Sequence, residues 1–187
     1  QKQSIRKDRM EGKEIWRMVD EVTGMMVGVD TIDLDAATLL PLRRSATQGP
    51  NRFLFTFKPE GVEGKLIMGA QTLPVGARFS APVLAEGSNV ELAVCTLPLV
   101  PGYKATLEQF DVMAGNTQKF RLEVVGEERV PLAGGVFDAF KVTLKPIDDE
   151  AGGQTLWIAK QDRALIKTER KLPTQAGGGT VLKELVK

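Results

Sequence analysis

"VPLAGGVFDAFKV", residues 130–142, places two adjacent glycines between apolar runs of conflicting parity. Val136, Phe140 and Val142 fall on alternate positions that share one strand face, while Phe137 falls on the other. A phosphate-cradling loop needs a longer glycine pattern ending in Lys and Ser or Thr, or a G-x-G-x-x-G run that opens a helix. This stretch has neither, and a strand pattern follows it. Gly134-Gly135 therefore reads as a hairpin turn, because glycine tolerates the positive φ that tight turns and bulges demand. Phe140, Val142 and Leu144 are expected inward. Phe137 then requires either a bulge or sharp twist near Gly135, or cover on both faces of the strand.

Most of the chain repeats this pattern of short β-rich runs punctuated by Gly, Pro or acidic residues, as antiparallel strands joined by tight turns require. Early strands are "KEIWRMVDEV", "GVDTIDLD" and "LLPLRRSAT", the last two divided by "DAAT", whose Asp and Thr side chains suit a turn. "NRFLFTFKPEGVEGKLIMG" is the clearest hairpin, with Phe53, Phe55 and Phe57 on one face and a turn at Pro59-Glu60-Gly61. Later strands are expected at 77–80, 103–112, 119–125, 136–144, 155–160, 165–172 and 181–186. "AGGGT" before the last of them reads as a hairpin loop, and "IDDE" at 147–150 as an exposed polar loop.

One segment departs from the strand pattern. "SNVELAVCTLP" opens on Ser88 with Glu91 three residues on, which is capping-box spacing, and closes at Pro98. Val90, Ala93, Val94 and Leu97 form a helical stripe, yet Leu92 and Cys95 make the opposite side apolar too. A helix apolar nearly all round is usually buried, so a short helix near 88–97 enclosed by a curved antiparallel sheet is expected. No repeat of solenoid or propeller length is evident.

Composition removes several function classes. The 187 residues carry 25 Lys+Arg against 24 Asp+Glu, so no large field draws the chain to nucleic acid or anionic lipid. There is no histidine, the commonest neutral-pH base and transition-metal ligand. Cys95 is the only cysteine; an internal disulfide cannot form, and without a histidine beside it the thiol reads as a small buried hydrophobe. No apolar run reaches the ~20 residues needed to cross a bilayer as a helix. The opening "QKQSIRKDRMEGKE" is too polar for a signal peptide, and a start without Met fits a processed or trimmed product.

Few residues suggest chemistry. Asp30, Asp33 and Asp35 lack the glycine bend and late glutamate of an EF-type calcium loop, and Asp33 and Asp35 alternate with Thr31 as on a solvated strand face. Nothing marks out a pair of catalytic carboxylates. The stripe of Phe53, Phe55 and Phe57, with Phe79, Phe140 and Trp157, reads either as plain core or as the lining of an apolar cavity.

In order along the chain, "TIDLDAATLLPLRR", a capped apolar helix running into "LPLVPGY", "VVGEERVPLAGGVFDAFKVTL" and "LWIAKQDRALIKTERKL" ending in "VLKELV" resemble an uncharacterised family of exported bacterial proteins related to the lipoprotein-localisation factors LolA and LolB. The resemblance implies a half-barrel curled around a helical plug, a periplasmic or cell-envelope location, and an apolar concavity able to hold acyl chains or a peptide. It carries over no individual functional residue and does not transfer lipoprotein sorting.

The expectation is thus one mainly β domain over 1–187, an antiparallel curved sheet or half-barrel, that binds a lipid or other hydrophobic ligand without catalysis. Phe53, Phe55, Phe57, Phe79, Leu92, Phe140 and Trp157 are the candidate lining, with no cofactor, no metal and no nucleic-acid partner. The alternative is a structural or interaction module of a larger exported protein, docking an envelope partner through a sheet edge or concave face.

Overall fold

A computed structural model describes residues 1–23, 27–112, 114–148, 153–171 and 178–185. Most of these residues are in strands, joined by one short helix, so the protein is mainly β. The chain forms two compact units, residues 1–90 with 109–117 and residues 91–108 with 118–187.

The first unit carries a seven-stranded antiparallel meander in chain order. Its strands are β1 (Lys2–Met10), β2 (Lys13–Val22), β3 (Gly28–Asp35), β4 (Pro41–Gln48), β5 (Asn51–Lys58), β6 (Gly61–Met68) and β7 (Gln71–Arg78). The hairpin at Pro59-Glu60 forms as its sequence predicts, with Phe57 opposite Val62 and Lys58 opposite Gly61. Phe55 and Phe57 are buried on one face and Phe53 is half-buried there. The polar β1 is a strand that the sequence reading missed. It pairs with β2 along its whole length through a loop in which Glu11 and Gly12 both take positive φ, 53° and 82°, as a tight two-residue hairpin requires.

The second sheet runs in chain order through β9 (Lys104–Asp111), β10 (Asn116–Leu132), β11 (Gly135–Pro146), β12 (Gly153–Ala159), β13 (Leu165–Lys171) and β14 (Thr180–Glu184), and it curls as a half-barrel. It is not purely antiparallel. The two-residue β8 (Leu84–Ala85) runs parallel to Gln109–Phe110 at the end of β9, which corrects the expectation of an all-antiparallel sheet. Residues 149–152, 172, 176–177 and 186, on which parts of the expected loops and last strands fall, lie outside the described residues.

Residues 130–142 behave as a hairpin. Leu132 pairs with Gly135 across Ala133-Gly134, and Gly135 takes φ 129° with nothing within 4 Å of where a Cβ would stand. The parity conflict is resolved by cover on both faces. Phe137 packs against a cluster of Val130, Ala139, Trp157, Ala159 and Ile166, whereas Phe140, Val142 and Leu144 are buried on the opposite face. The bulge lies in the partner strand: β10 slips register between Val124 and Gly126, where Val125 is left exposed.

The helix α1 (Ser88–Thr96) forms where predicted. Val90 and Val94 are buried, and Leu92, Ala93 and Cys95 are half-buried. Its polar side chains do not act as the capping box suggested: the Ser88 hydroxyl donates to Asp20, and the Glu91 carboxylate accepts from Lys183 Nζ at 3.2 Å.

Candidate functional site

The first unit's aromatic core converges on a residue the sequence reading did not single out. Phe110 is fully buried, and the rings of Phe55, Phe57 and Phe79 stand around it with centroids 6.0, 6.3 and 5.9 Å away. The first two contacts are edge-on, the arrangement that ring quadrupoles favour. Strand alternation places Phe55 and Phe57 on one face, the short parallel β8–β9 pair brings Phe110 to them, and Phe79 follows β7.

In front of this cluster opens a groove of about 230 Å³. Its walls are Leu40, Pro41 and Leu42 from the start of β4, Phe57, Lys58 and Pro59 from the end of β5, and Phe79, Pro82 and Val83 beyond β7, with Asp35 and Thr38 at the rim. The β3–β4 turn fixes one wall. The Asp35 carboxylate accepts from the backbone N–H of Ala37 at 3.0 Å and of Thr38 at 2.9 Å, and from the Thr38 hydroxyl at 2.9 Å, which is the bonding that "DAAT" suggests. The Thr38 bonds hold the Asp35 carboxyl below the usual range. Leu39, at φ 59°, is anchored by the buried Asn89, whose Nδ2 donates to its carbonyl at 3.0 Å and whose Oδ1 accepts from Ala85 N–H at 2.8 Å.

The remaining expected lining residues are placed differently. Phe55 is only 2% exposed, beneath the groove residues, and Phe53 is half-buried on the same strand face. Phe140 and Trp157 lie on opposite faces of the second sheet, because Phe140 pairs with Ile158 and Lys141 with Trp157. Each ring is covered by cations. The Arg163 guanidinium lies 5.0 Å and Lys160 Nζ 5.5 Å from the Phe140 centroid, while Lys141 and Lys167, from the strands on either side, place Nζ 5.3 and 5.2 Å from Trp157. Trp157 Nε1 also donates to Glu128 at 3.3 Å, and Lys141 donates to the same carboxylate at 3.0 Å. Leu92 is half-buried on α1.

The sequence profile of a family described as a protein of unknown function, DUF3108, matches residues 1–180. The chain belongs to this family. No curated protein and no solved structure matches the DUF3108 chain.

The polar residues that looked like chemistry turn out to be structural in the DUF3108 chain. Asp33 is not on a solvated face: it is 4% exposed and takes two bonds from Arg17, at 2.6 and 3.1 Å. Asp30 faces the other way, bound by Arg44, whose guanidinium also reaches Glu86 at 3.4 Å. With Asp35 committed to its turn, the three aspartates do not converge. Among the described residues no group of three or more ligating side chains could hold a metal ion. Burial pushes the Cys95 thiol up to about 11, with Glu91 adding to the rise. No helix among the described residues is long and apolar enough to cross a membrane.

What sequence reasoning missed is the proline and leucine framing of the groove. Pro41, Pro59 and Pro82 stand at the start of β4, after β5 and after β7. Chain punctuation was their only sequence signal.

Proposed function

We propose that the DUF3108 chain is a non-enzymatic binding protein that holds a hydrophobic ligand in the groove of its first unit. The observation that carries this reading is the wall itself: eight of the eleven lining residues are Leu, Pro, Phe or Val, and the Phe57 and Phe79 rings are backed by the fully buried Phe110. Concave apolar walls with few polar groups are the usual form of a ligand site.

Size limits the ligand. At roughly 30 Å³ per water-sized group, 230 Å³ accepts about eight methylenes, one short chain and not a two-tailed lipid. Burying them is worth about 0.8 kcal/mol each, or about 6 kcal/mol before the costs of association, so affinity in the millimolar range or weaker is expected. The same reading takes α1 as the element that a curved sheet encloses and places the protein in the periplasm or cell envelope, as the resemblance to relatives of LolA and LolB implies.

Native mass spectrometry of gently purified protein, with titration of a medium-chain amphiphile, tests the proposal. A one-to-one adduct lost in Leu42→Trp, which fills the groove while leaving the thermal melt unchanged, supports it. Absence of uptake by the wild type sinks it. A second reading is favoured by the groove's volume, which lies below the ~300 Å³ where small-molecule pockets usually begin: a partner protein's apolar side chain docks there. Binding of an envelope protein that Leu42→Trp abolishes, without uptake of any amphiphile, would select it.

A further inference from the structure

Across the second unit's sheet, one row of side chains is uniformly basic. Arg121 on β10 stands directly opposite Lys145 on β11, and Lys171 on β13 stands directly opposite Gly153 on β12. Gly153 joins the two pairs. A Cβ built on it would meet Lys145 Cα and Cγ at 3.4 Å, so the Lys145 stem runs beside bare backbone between Arg121 and Lys171. Strand alternation puts this row on the face opposite the buried Leu122 and Leu144, and all three cations are exposed.

Like charges set directly opposite across a strand pair destabilise it, and the sheet does not offset them. Among the described residues Arg121, Lys145 and Lys171 have no ion-pair partner, Asp148 just past β11 included. In the next row Glu123 is taken by Lys104 at 3.1 Å, which leaves Glu169 to oppose three cations. Two rows along, by contrast, Lys141 and Lys167 are each held by a carboxylate, Glu128 at 3.0 Å and Glu184 at 3.4 Å. A net charge of +1 thus conceals a local basic stripe. Three strand spacings separate Arg121 from Lys171, about 14 Å, which is wider than one phosphate group bridges. Ile147 adjoins the stripe, 40% exposed, its N–H donating to the carbonyl of the exposed Lys119 at 2.9 Å.

We propose that this face docks on an anionic bilayer surface, with Arg121, Lys145 and Lys171 meeting lipid headgroups and Ile147 the interface beside them. The stripe belongs to the second unit and does not depend on the groove of the first. Co-sedimentation of the intact chain with vesicles tests this. Vesicles of about one-third phosphatidylglycerol in phosphatidylcholine should bind it and phosphatidylcholine alone should not. Salt at about 1 M should release it, as the Debye length falls to about 3 Å. Lys145→Gln and Lys171→Gln should each lower partitioning about 5-fold, the scale of one basic side chain at such a surface. Lys160→Gln, which removes the same charge from an ion pair with Glu127, should leave partitioning unchanged. All three positions are exposed, so these variants should fold, and the first two should melt no lower than the wild type because repulsion is relieved. Equal losses for Lys145→Gln and Lys160→Gln would overturn the assignment to this row. Absence of vesicle binding would overturn the proposal outright, and capture by polyglutamate in its place would give the stripe to an acidic protein partner.

Discussion

A Cβ placed on Gly64 would run into the ring of Phe55, directly opposite on β5, and into the carbonyl of Leu54. Gly135, by contrast, needs no room, only its φ of 129°. Alanine therefore fails at the two sites for different reasons. Gly64→Ala must push a backbone carbonyl and a buried ring aside and should cost about 2–3 kcal/mol, as overpacking does. Gly135→Ala pays only backbone strain, about 1 kcal/mol. Urea denaturation of both variants measures the difference, and equal costs would refute this account of Gly64. The buried ion pair gives a second contrast. Arg17→Met leaves Asp33 buried without its partner and should cost about 3 kcal/mol, because an uncompensated buried charge is more expensive than no charge at all. Adding Asp33→Leu should recover a large part of that loss. A double variant no more stable than Arg17→Met would show that the pair itself, and not the orphaned carboxylate, carries the energy.

The elements were largely legible in the sequence because alternation and turn chemistry report directly on strands. β2 and β3 carry the bounds that "KEIWRMVDEV" and "GVDTIDLD" suggest, and α1 lies where the stripe from Val90 to Leu97 places it. β1 was invisible for a physical reason: none of its nine residues is a buried apolar side chain, since seven are Lys, Gln, Ser, Arg or Asp, Ile5 is exposed and Met10 is half-buried, and an edge strand with little to bury leaves no alternation. β10 looked shorter than it is because Gly126 reads as punctuation while acting as a bulge. The groove was only half legible, since Phe57 and Phe79 stand out as aromatics, whereas Pro41, Pro59 and Pro82 become a wall only once three chain segments meet. One buried side chain ties two of the surrounding segments together. Asn89 ties Ala85 to Leu39, so Asn89→Ala orphans a buried N–H and a carbonyl together and should cost about 2–3 kcal/mol. It should also loosen the β3–β4 turn and weaken binding of a medium-chain amphiphile, although Asn89 does not line the groove. Calorimetry checks the first effect and titration the second; unchanged binding would mean the turn stands without its tether.

At the scale of the whole chain, the absence of histidine governs how stability responds to pH. With 0 His in 187 residues, no side chain has its ordinary titration between pH 5 and 8. Cys95 does not enter that window, since burial pushes its thiol up to about 11. Two carboxylates with resolved shifts are Asp35, lowered first by the Thr38 backbone bond, and Glu128, lowered first by the bond from Lys141. Both have folded values below the unfolded ones. The unfolded chain therefore binds more protons in acid, and the stability these groups contribute is present above the ordinary values of 3.8 and 4.5 and lost as pH falls through their folded values. Arg17 and Arg44 are raised by the carboxylates they bind, so they stay charged up to the arginine range and add no slope between pH 5 and 8. The melting temperature should accordingly be flat from about pH 5.5 to 7.5 and fall below about pH 4.5. Differential scanning calorimetry at constant ionic strength reads this directly. A change of several degrees between pH 6 and 7 would contradict it, because a chain without histidine offers no side chain whose ordinary ionisation could produce one.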